Sequence, residues 1–413
     1  MNGGRRLPGA VHAELAALLG PVDAELARRY PGDAAGRQPV HTVYVPADKV
    51  TPDLLPAWSA AALAALADNP PHPFAGELAG RVAGKLTEEP VEDLRIDFED
   101  GYGARDDTDE DAAAVSAAKA MRGGVRPPFL GLRIKSLAGA TRRRAVRTLE
   151  VFLDAFGPPP PDLVVTLPKV SHPAQVEAMA LLCARLEDAY ACPVGSLRFE
   201  VQVETPAAVL GADGTATVAR LIGAAGGRCV GLHYGTYDYS AACGIAAAQQ
   251  SLEHPVADHA KAVMQVAAAG TGVRLSDGSS NVLPVGPPQR VRAAWDLHAR
   301  LVRRSLERGF YQGWDLHPAQ LPTRFGATYA FFRDGLAAAV DRLTGAAGTL
   351  EEPATVAALT GFLRRGLDCG ALDPADLPAD LAVALVNRSD MPDEFTGATA
   401  RSAGGGGGDE VAG

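Results

Sequence analysis

What most constrains this chain is a repeated order of strand-like and helix-like segments. Eight short runs suited to strands alternate with Ala- and Leu-rich stretches suited to helices: His41–Pro46, Asp93–Phe98, Phe129–Lys135, Leu163–Pro168, Leu197–Val203, Cys229–Tyr234, a weak one within Val273–Val285, and Tyr311–Leu316. Strands separated by helices build βαβ units with parallel strands rather than hairpins. Eight of them over roughly 280 residues predict an α/β fold, a closed (β/α)8 TIM barrel rather than an open doubly wound sheet. The 413 residues leave room for more. Residues 1–36 read as a helical lead-in, 37–325 as the barrel domain, 326–395 as a C-terminal helical region without a strand pattern, and 396–413 as a Gly-rich tail expected to be disordered.

Parity along the strands points to a polar barrel interior. Leu94, Ile96 and Phe98 alternate with Arg95, Asp97 and Glu99; Leu130, Leu132 and Ile134 alternate with Gly131, Arg133 and Lys135. Phe199, Val201 and Val203 oppose Arg198, Glu200, Gln202 and Glu204, while Val230, Leu232 and Tyr234 oppose Gly231, His233 and Gly235. In the last strand Trp314 and Leu316 oppose Asp315 and His317. Successive side chains point to opposite faces, so apolar sets should meet the surrounding helices and charged sets the barrel axis. Buried charge is costly unless it is paired or bound to metal, so this interior asks for a functional explanation.

Barrel enzymes place their sites at the carboxyl ends of strands. Those ends read Asp97-Phe98-Glu99-Asp100-Gly101, Arg133-Ile134-Lys135, Pro168-Lys169, Glu204-Thr205-Pro206, Gly235-Thr236-Tyr237-Asp238 and Asp315-Leu316-His317-Pro318. Carboxylates from several strands with few soft ligands suit a hard cation, Mg²⁺ or Mn²⁺, which takes one or two carboxylates and keeps sites for water and substrate oxygens. Zinc would want more His or Cys, and no HExxH spacing occurs. No GxGxxG, GxxxxGK[ST] or GxSxG motif occurs either, so dinucleotide, P-loop and serine-hydrolase signals are missing.

The formal charge is −10, and the short clusters Arg5-Arg6, Arg142-Arg143-Arg144 and Arg303-Arg304 read as solvated helix faces rather than a nucleic-acid footprint. Five cysteines without CxxC spacing read as reduced thiols. No run approaches a membrane span, and the N-terminus lacks the apolar core of a signal peptide, so no membrane contact and a cytoplasmic location are expected.

The segments VYVPAD, LRIDFEDGYG, GLRIKS, VVTLPKV, FEVQVETPAAV, HYGTYDYSAACGI and GWDLHPAQL stand in the order and spacing of a known family. Over roughly residues 40 to 325 the chain resembles the HpcH/HpaI aldolase/citrate lyase β-subunit-like family of the phosphoenolpyruvate/pyruvate barrel superfamily, as a divergent subgroup. The resemblance implies that Glu204 and Asp238 ligate Mg²⁺ and that Arg133 holds a substrate carboxylate. Glu99 and Asp100 match the family's L-E-D motif near the metal; related aldolases carry a histidine at the position of Asp100, which makes Asp100 the candidate acid/base. His317 and Gln320 match the I-H-P-x-Q stretch near the substrate. The resemblance also implies a homo-oligomer, a trimer or hexamer. Where the family opens its first strand with an Arg that positions coenzyme A, this chain has His41, which leaves use of a CoA thioester open. The seventh-strand region, RLSDGSSNVLPVG, departs from the family pattern as well.

Each residue has a plainer reading. Glu204 could be a salt-bridged core residue, Asp238 a helix cap, Arg133 a partner of Asp97 or Glu204, and Glu99 with Asp100 a loop-capping pair. Lys135 and Lys169 could neutralise the carboxylates, and His233 and His317 could be inner hydrogen-bonders. The expected chemistry is carbon–carbon lyase or aldolase cleavage of a small 2-oxo or 3-hydroxy acid through a metal-stabilised enolate. The alternatives are thioester hydrolysis or phosphoryl transfer on a pyruvate-like substrate, or a non-catalytic metabolite-binding barrel or subunit of a larger complex.

Overall fold

In the computed structural model, which describes residues 10–34, 36–70, 74, 76–160, 162–345 and 352–387, eight parallel strands form one sheet. They are β1 (His41–Pro46), β2 (Asp93–Asp97), β3 (Phe129–Arg133), β4 (Val164–Leu167), β5 (Arg198–Val203), β6 (Cys229–Tyr234), β7 (Arg274–Ser276) and β8 (Gly313–Asp315). The sheet runs β7-β6-β5-β4-β3-β2-β1-β8, and a parallel bridge between Ser276 and Gln312 joins its two ends. This is the expected (β/α)8 barrel, with all eight expected strands present.

Helices close around it for the usual reason: each buries one stripe. The helix Arg142–Phe156 buries Ala145, Leu149, Phe152, Leu153 and Phe156, which recur every three or four residues and so lie on one face. The strands supply the opposing surface, since Leu94, Ile96, Phe98, Leu130, Leu132 and Ile134 are all buried. Proline at the first turn starts the helices Pro173–Ala189, Pro206–Val209, Pro255–Ala268 and Pro288–Glu307, where its missing N–H costs nothing.

Contacts between non-neighbouring strands reveal the inner face. Arg95 of β2 reaches across to Glu200 of β5 in a bidentate pair at 2.9 and 2.9 Å, and also pairs with Asp93. Glu200 accepts further hydrogen bonds from Thr166, 2.5 Å, and His233, 3.0 Å. Trp314 Nε1 donates to His233 Nδ1 at 2.9 Å, which leaves Nε2 to donate to Glu200. This lower layer spends its polar groups on one another and ties β2, β4, β5, β6 and β8 together across the barrel. The polar interior therefore has a structural part as well as the functional part expected from the sequence.

The face assignment of the last strand is corrected. Trp314 points inward, stacking on Tyr44 with ring centroids 4.5 Å apart, and Asp315 points outward. Asp315 is buried between the strand and the helices Pro288–Glu307 and Leu321–Leu343, where it meets His41 (2.8 Å), His298 (3.2 Å) and Arg324 (3.0 Å). Burial pushes its carboxyl up, but the Arg324 charge and the bonds to His298 and His41 together outweigh burial and hold it well below the ordinary range.

Beyond the barrel, the helices Leu321–Leu343, Pro353–Asp368 and Ala379–Val386 pack in succession, the second of them bordering the amino-terminal end of the strands. At the other end of the sequence, the helix Ala10–Arg29 buries none of its residues. The expected tail 396–413 and residues 1–9 of the lead-in lie outside the described residues. All five cysteines are free thiols, and among the described residues no helix is long and apolar enough to cross a membrane.

Candidate active site

Three of the strand-to-loop transitions, those after β2, β5 and β6, deliver four carboxylates to one point. Asp97, the last residue of β2, shapes the first of these loops: its Oδ1 accepts from the Glu99 amide (2.9 Å) and its Oδ2 from the Gly101 amide (2.8 Å). A Cβ on Gly101 would lie 2.5 Å from Asp97 Oδ2, so the turn requires glycine. The loop thereby fixes Glu99 and Asp100. Glu204 follows β5 directly, and Thr205 caps the short helix Pro206–Val209 by accepting from the Ala208 amide at 3.2 Å. Asp238 stands in the first turn of the helix Thr236–Ala242 that follows β6. Gly235 lets these last two loops approach, because a Cβ there would lie 2.4 Å from Glu204 Cβ and 2.8 Å from its Oε2.

The group at the centre is Lys169, from the loop after β4. Its ammonium lies 2.9 Å from Asp100 Oδ2, 2.5 Å from Asp238 Oδ2, and 3.7 Å from both Glu99 Oε1 and Glu204 Oε2. Its backbone amide also donates to Glu204 Oε1 at 2.6 Å. Lys169 takes φ +53°, a left-handed conformation that a non-glycine residue adopts at some cost. That conformation turns both its amide and its ammonium toward Glu204.

Arg133 forms the opposite wall. It ends β3 in register with Asp97, and its Nε and Nη2 donate to the two Asp97 oxygens at 2.7 and 2.7 Å. The guanidinium lies over the Tyr44 ring, 4.7 Å from its centroid, and Nη1 is 3.4 Å from both Gln202 Oε1 and Glu99 Oε2. Gln202 in turn donates to Glu204 Oε2 at 2.8 Å, linking the arginine to the carboxylate cluster. The cavity between these walls has a volume of about 340 Å³, and Tyr44, Trp314, Tyr237 and Ser279 complete its lining.

Proton affinities follow from this geometry. Burial pushes the Glu204 carboxyl up to about 7, against the opposing pull of the Lys169 charge. Burial likewise pushes Glu99 up to about 8, with Arg133 opposing and the neighbouring Asp100 adding to the rise. Asp100 is partly buried too, but its hydrogen bond to Lys169 and that group's charge hold it below the usual carboxylate range. Burial alone would lower Lys169; the Glu204 charge and the bonds to Asp238 and Asp100 outweigh it and raise the ammonium.

Of the residues singled out in the sequence, Glu99, Asp100, Arg133, Glu204 and Asp238 come together here. His317 and Gln320 do not line the cavity. His317 caps the turn Pro318–Gln320, its Nδ1 accepting from the Ala319 amide at 3.1 Å. The Gln320 oxygen accepts from the Leu316 and His317 amides (2.8 and 3.2 Å), and its nitrogen donates to the Ser280 carbonyl at 3.0 Å. Lys135 turns away to Glu110, 2.6 Å. Tyr44, Gln202 and Trp314 were not read as site residues. Tyr44 and Gln202 carry the inward parity of their strands, a signal available in the sequence, whereas the parity of Trp314 was misleading.

A larger cavity, about 530 Å³, opens at the amino-terminal end of the strands, lined by Gln38, Arg274, Tyr311 and Arg365 among others. The barrel convention and the carboxylate convergence both favour the smaller one as the reaction site.

A family profile described as "Domain of unknown function (DUF6986)" matches residues 19–391. The chain belongs to the DUF6986 family. No curated protein matches this DUF6986 chain. Among solved structures it is similar to a citrate lyase from Burkholderia xenovorans LB400, at 19% identity and TM-score 0.59, over 86% of this chain and 97% of that one. It is also similar to the lead(II) complex of Haloferax volcanii malate synthase, at 15% identity and TM-score 0.50, over 90% and 97% of the two chains. The DUF6986 barrel thus has the fold of the citrate lyase and malate synthase barrels, as the sequence resemblance implies.

Among the described residues, no three His, Cys, Asp or Glu side chains stand in metal-ligating geometry. The carboxylates are drawn around the Lys169 ammonium instead. Their chemistry nevertheless fits a hard cation: the donors are all oxygens, and Glu204 and Asp238 already face one shared positive charge. Glycine at 235 keeps the space beside Glu204 open.

Proposed function

We propose that this barrel is a Mg²⁺-dependent carbon–carbon lyase or aldolase acting on a small carboxylic acid, with Mn²⁺ able to replace Mg²⁺. The observation that carries the reading is the convergence of Glu99, Asp100, Glu204 and Asp238 on one cation position beside the Arg133 guanidinium. Similarity in fold to a citrate lyase and a malate synthase supports the same reaction class.

Glu204 and Asp238 would hold the cation, which when bound supplies Lewis-acid stabilisation of negative charge on a substrate oxygen. Arg133 binds the substrate carboxylate. Two of its nitrogens are committed to Asp97, so the guanidinium cannot swing, and Nη1 is the edge offered to the cavity. A guanidinium held this way loses little freedom when it binds a carboxylate. Asp100, anionic and held by Lys169 at 2.9 Å, would take the proton of the substrate hydroxyl as that oxygen becomes a carbonyl and the electron pair of the broken carbon–carbon bond passes into the enolate, and would return it to the oxygen in the reverse direction. Tyr44 and Trp314 close the floor of the cavity, so the reacting carbon is shielded from water on that side. A volume near 340 Å³ suits an acid of a few carbons.

The test is calorimetric titration of Mg²⁺ together with pyruvate, oxaloacetate or glyoxylate into the wild type and into Glu204→Gln/Asp238→Asn. Cation-dependent binding of an oxo acid that disappears in the double variant supports the reading and directs a screen for lyase turnover. A folded wild type that binds none of the three with Mg²⁺ refutes it.

A further inference from the structure

The larger cavity, about 530 Å³, has no part in the proposed reaction: it opens at the amino-terminal ends of β7 and β8, at the far end of the barrel from the carboxylates. Five stretches of chain meet around it: the lead-in at Asp33 and Gln38, the helix Pro255–Ala268, the start of β7, the turn at Gly309 before β8, and the helix Pro353–Asp368. Three arginines line it, Arg274 from β7 and Arg364 and Arg365 from the last of these helices, against two carboxylates, Asp33 and Asp368. In a chain of net charge −10, an excess of positive charge gathered in one concave space calls for a reason.

Arg365 is the most telling of the three. Its guanidinium lies over the Tyr311 ring, 4.3 Å from the centroid, and beside Gly361, where a Cβ would stand 3.0 Å from Nη1. Glycine inside a helix costs about 1 kcal/mol relative to alanine, and here it gives that guanidinium its place. Among the described residues the guanidinium makes no hydrogen bond. The carboxylate within reach is Asp33, whose Oδ2 is 3.9 Å away on a side chain that is 87% exposed, and a pair of that kind contributes little. A fork of donors whose face is held by a ring is thus left open at its edge. Arg274 reaches the cavity from a different element, its Nη2 lying 3.4 Å from the Gly36 carbonyl. Ala268, Val273 and Leu275 line the space beside these charges and add an apolar surface.

A planar carboxylate is satisfied by one guanidinium fork. Arginines presented from separate elements suit a tetrahedral dianion, whose terminal oxygens can accept from more than one of them. The volume also exceeds that of a free ion many times over and lies in the range of small-molecule sites. From this we infer that the amino-terminal cavity binds a small phosphate monoester, with the phosphate on Arg365 and Arg274, Arg364 adding positive charge, and the carbon part against Ala268, Val273 and Leu275. The site shares no residue with the carboxylate cluster, so it does not depend on the proposed reaction.

The experiment is calorimetric titration of glycerol 3-phosphate, inorganic phosphate and succinate into the full chain and into Arg365→Gln and Arg274→Gln, at low ionic strength and without divalent cations. Near-ultraviolet circular dichroism confirms an intact barrel in each variant, and two variants from different elements guard against the loss of one fold. Glycerol 3-phosphate should bind the wild type more tightly than inorganic phosphate, and each substitution should weaken it by at least about tenfold, the loss of one charge-assisted contact. Succinate should show no affinity that depends on Arg365. A folded wild type that binds neither phosphate at millimolar concentration overturns the inference, as does binding that both variants leave unchanged. Succinate affinity that falls with Arg365→Gln as far as that of glycerol 3-phosphate, or a monoester bound no better than the free ion, overturns the assignment of the ligand.

Discussion

Replacing Lys169 by Met should tighten divalent-cation binding. In the wild type the ammonium occupies the point on which four carboxylates converge, so a cation entering between Glu204 and Asp238 must displace it. Two of the contacts to be opened, at 2.9 and 2.5 Å, are with half-exposed Asp100 and Asp238, and pairs of that kind are each worth at most about 1 kcal/mol. The approach to Glu204 is longer, 3.7 Å, but that carboxylate is buried, and the interaction there is on the order of 1 kcal/mol after screening. Relief of these contacts amounts to roughly 2–3 kcal/mol, or about 30- to 150-fold in dissociation constant. Met keeps the length of the side chain, and the backbone hydrogen bond from residue 169 to Glu204 is unaffected. The assay is calorimetric titration of Mg²⁺ and Mn²⁺ at low ionic strength without substrate, comparing wild type with Lys169→Met at matched circular dichroism. A folded variant that binds either cation no more tightly than the wild type would show that the ammonium is not a competitor but part of the binding site, and the argument would fail.

Two further outcomes follow from other parts of the fold. Gly235→Ala should weaken cation binding by tenfold or more while costing about 1–3 kcal/mol of stability, because the new methyl would overlap Glu204 and drive its carboxylate aside; titration and urea melts measure the two effects, and unchanged binding would refute the close approach. Glu187 is held down to about 2, first by its hydrogen bonds to Arg228 and then by the Gly195 and Leu197 amides, so it contributes stability that is complete above its unfolded value near 4.5 and is lost as pH falls toward 2. The shift corresponds to an upper limit of about 3 kcal/mol, roughly half of it after solvent screening, and the gap between wild type and Glu187→Gln in urea should close over that acid range; a gap that does not change with pH contradicts it.

Most of the barrel was legible because its signal is repetitive. Strand after strand pairs an apolar set with a polar one, and β2, β3 and β5 turn those sets as hydropathy requires. The site residues were legible for a related reason: strand ends in a barrel converge, so charged residues at those positions identify one another. The last strand defied the rule. Its outer face carries Asp315 in place of an apolar residue, and what makes this tolerable is Arg324, His298 and His41, contributed by two helices and by β1. Hydropathy cannot see a buried ion whose partners come from elsewhere, so the parity inverted and Trp314 went unread. Lys169 was legible as a neutralising charge but not as the centre of the cluster. Nothing in Pro168-Lys169 announces the left-handed backbone that aims both its donors at Glu204. His317 and Gln320 show a different limit: a motif residue can serve the backbone, His317 Nδ1 and the Gln320 oxygen capping the turn at Pro318 and the Gln320 nitrogen tying it to the Ser280 carbonyl.

The seam of the barrel bears on how such a site could change over evolutionary time. β7 and β8 are three residues each and meet through one bridged pair, Ser276 and Gln312, and a longer bond from the Trp314 amide to the Gly278 carbonyl (3.3 Å), whereas β2 and β3 share five paired residues. The cavity inherits this asymmetry. Asp97, Arg133 and Gln202 sit on the well-laddered side, while Ser279, Trp314 and Leu316 come from the seam. Variation that enlarges or reshapes the cavity can accumulate on the seam side at small cost to the scaffold, leaving the charged wall in place. Homologous chains whose ligands differ should therefore diverge first at the counterparts of Ser279, Trp314 and Leu316.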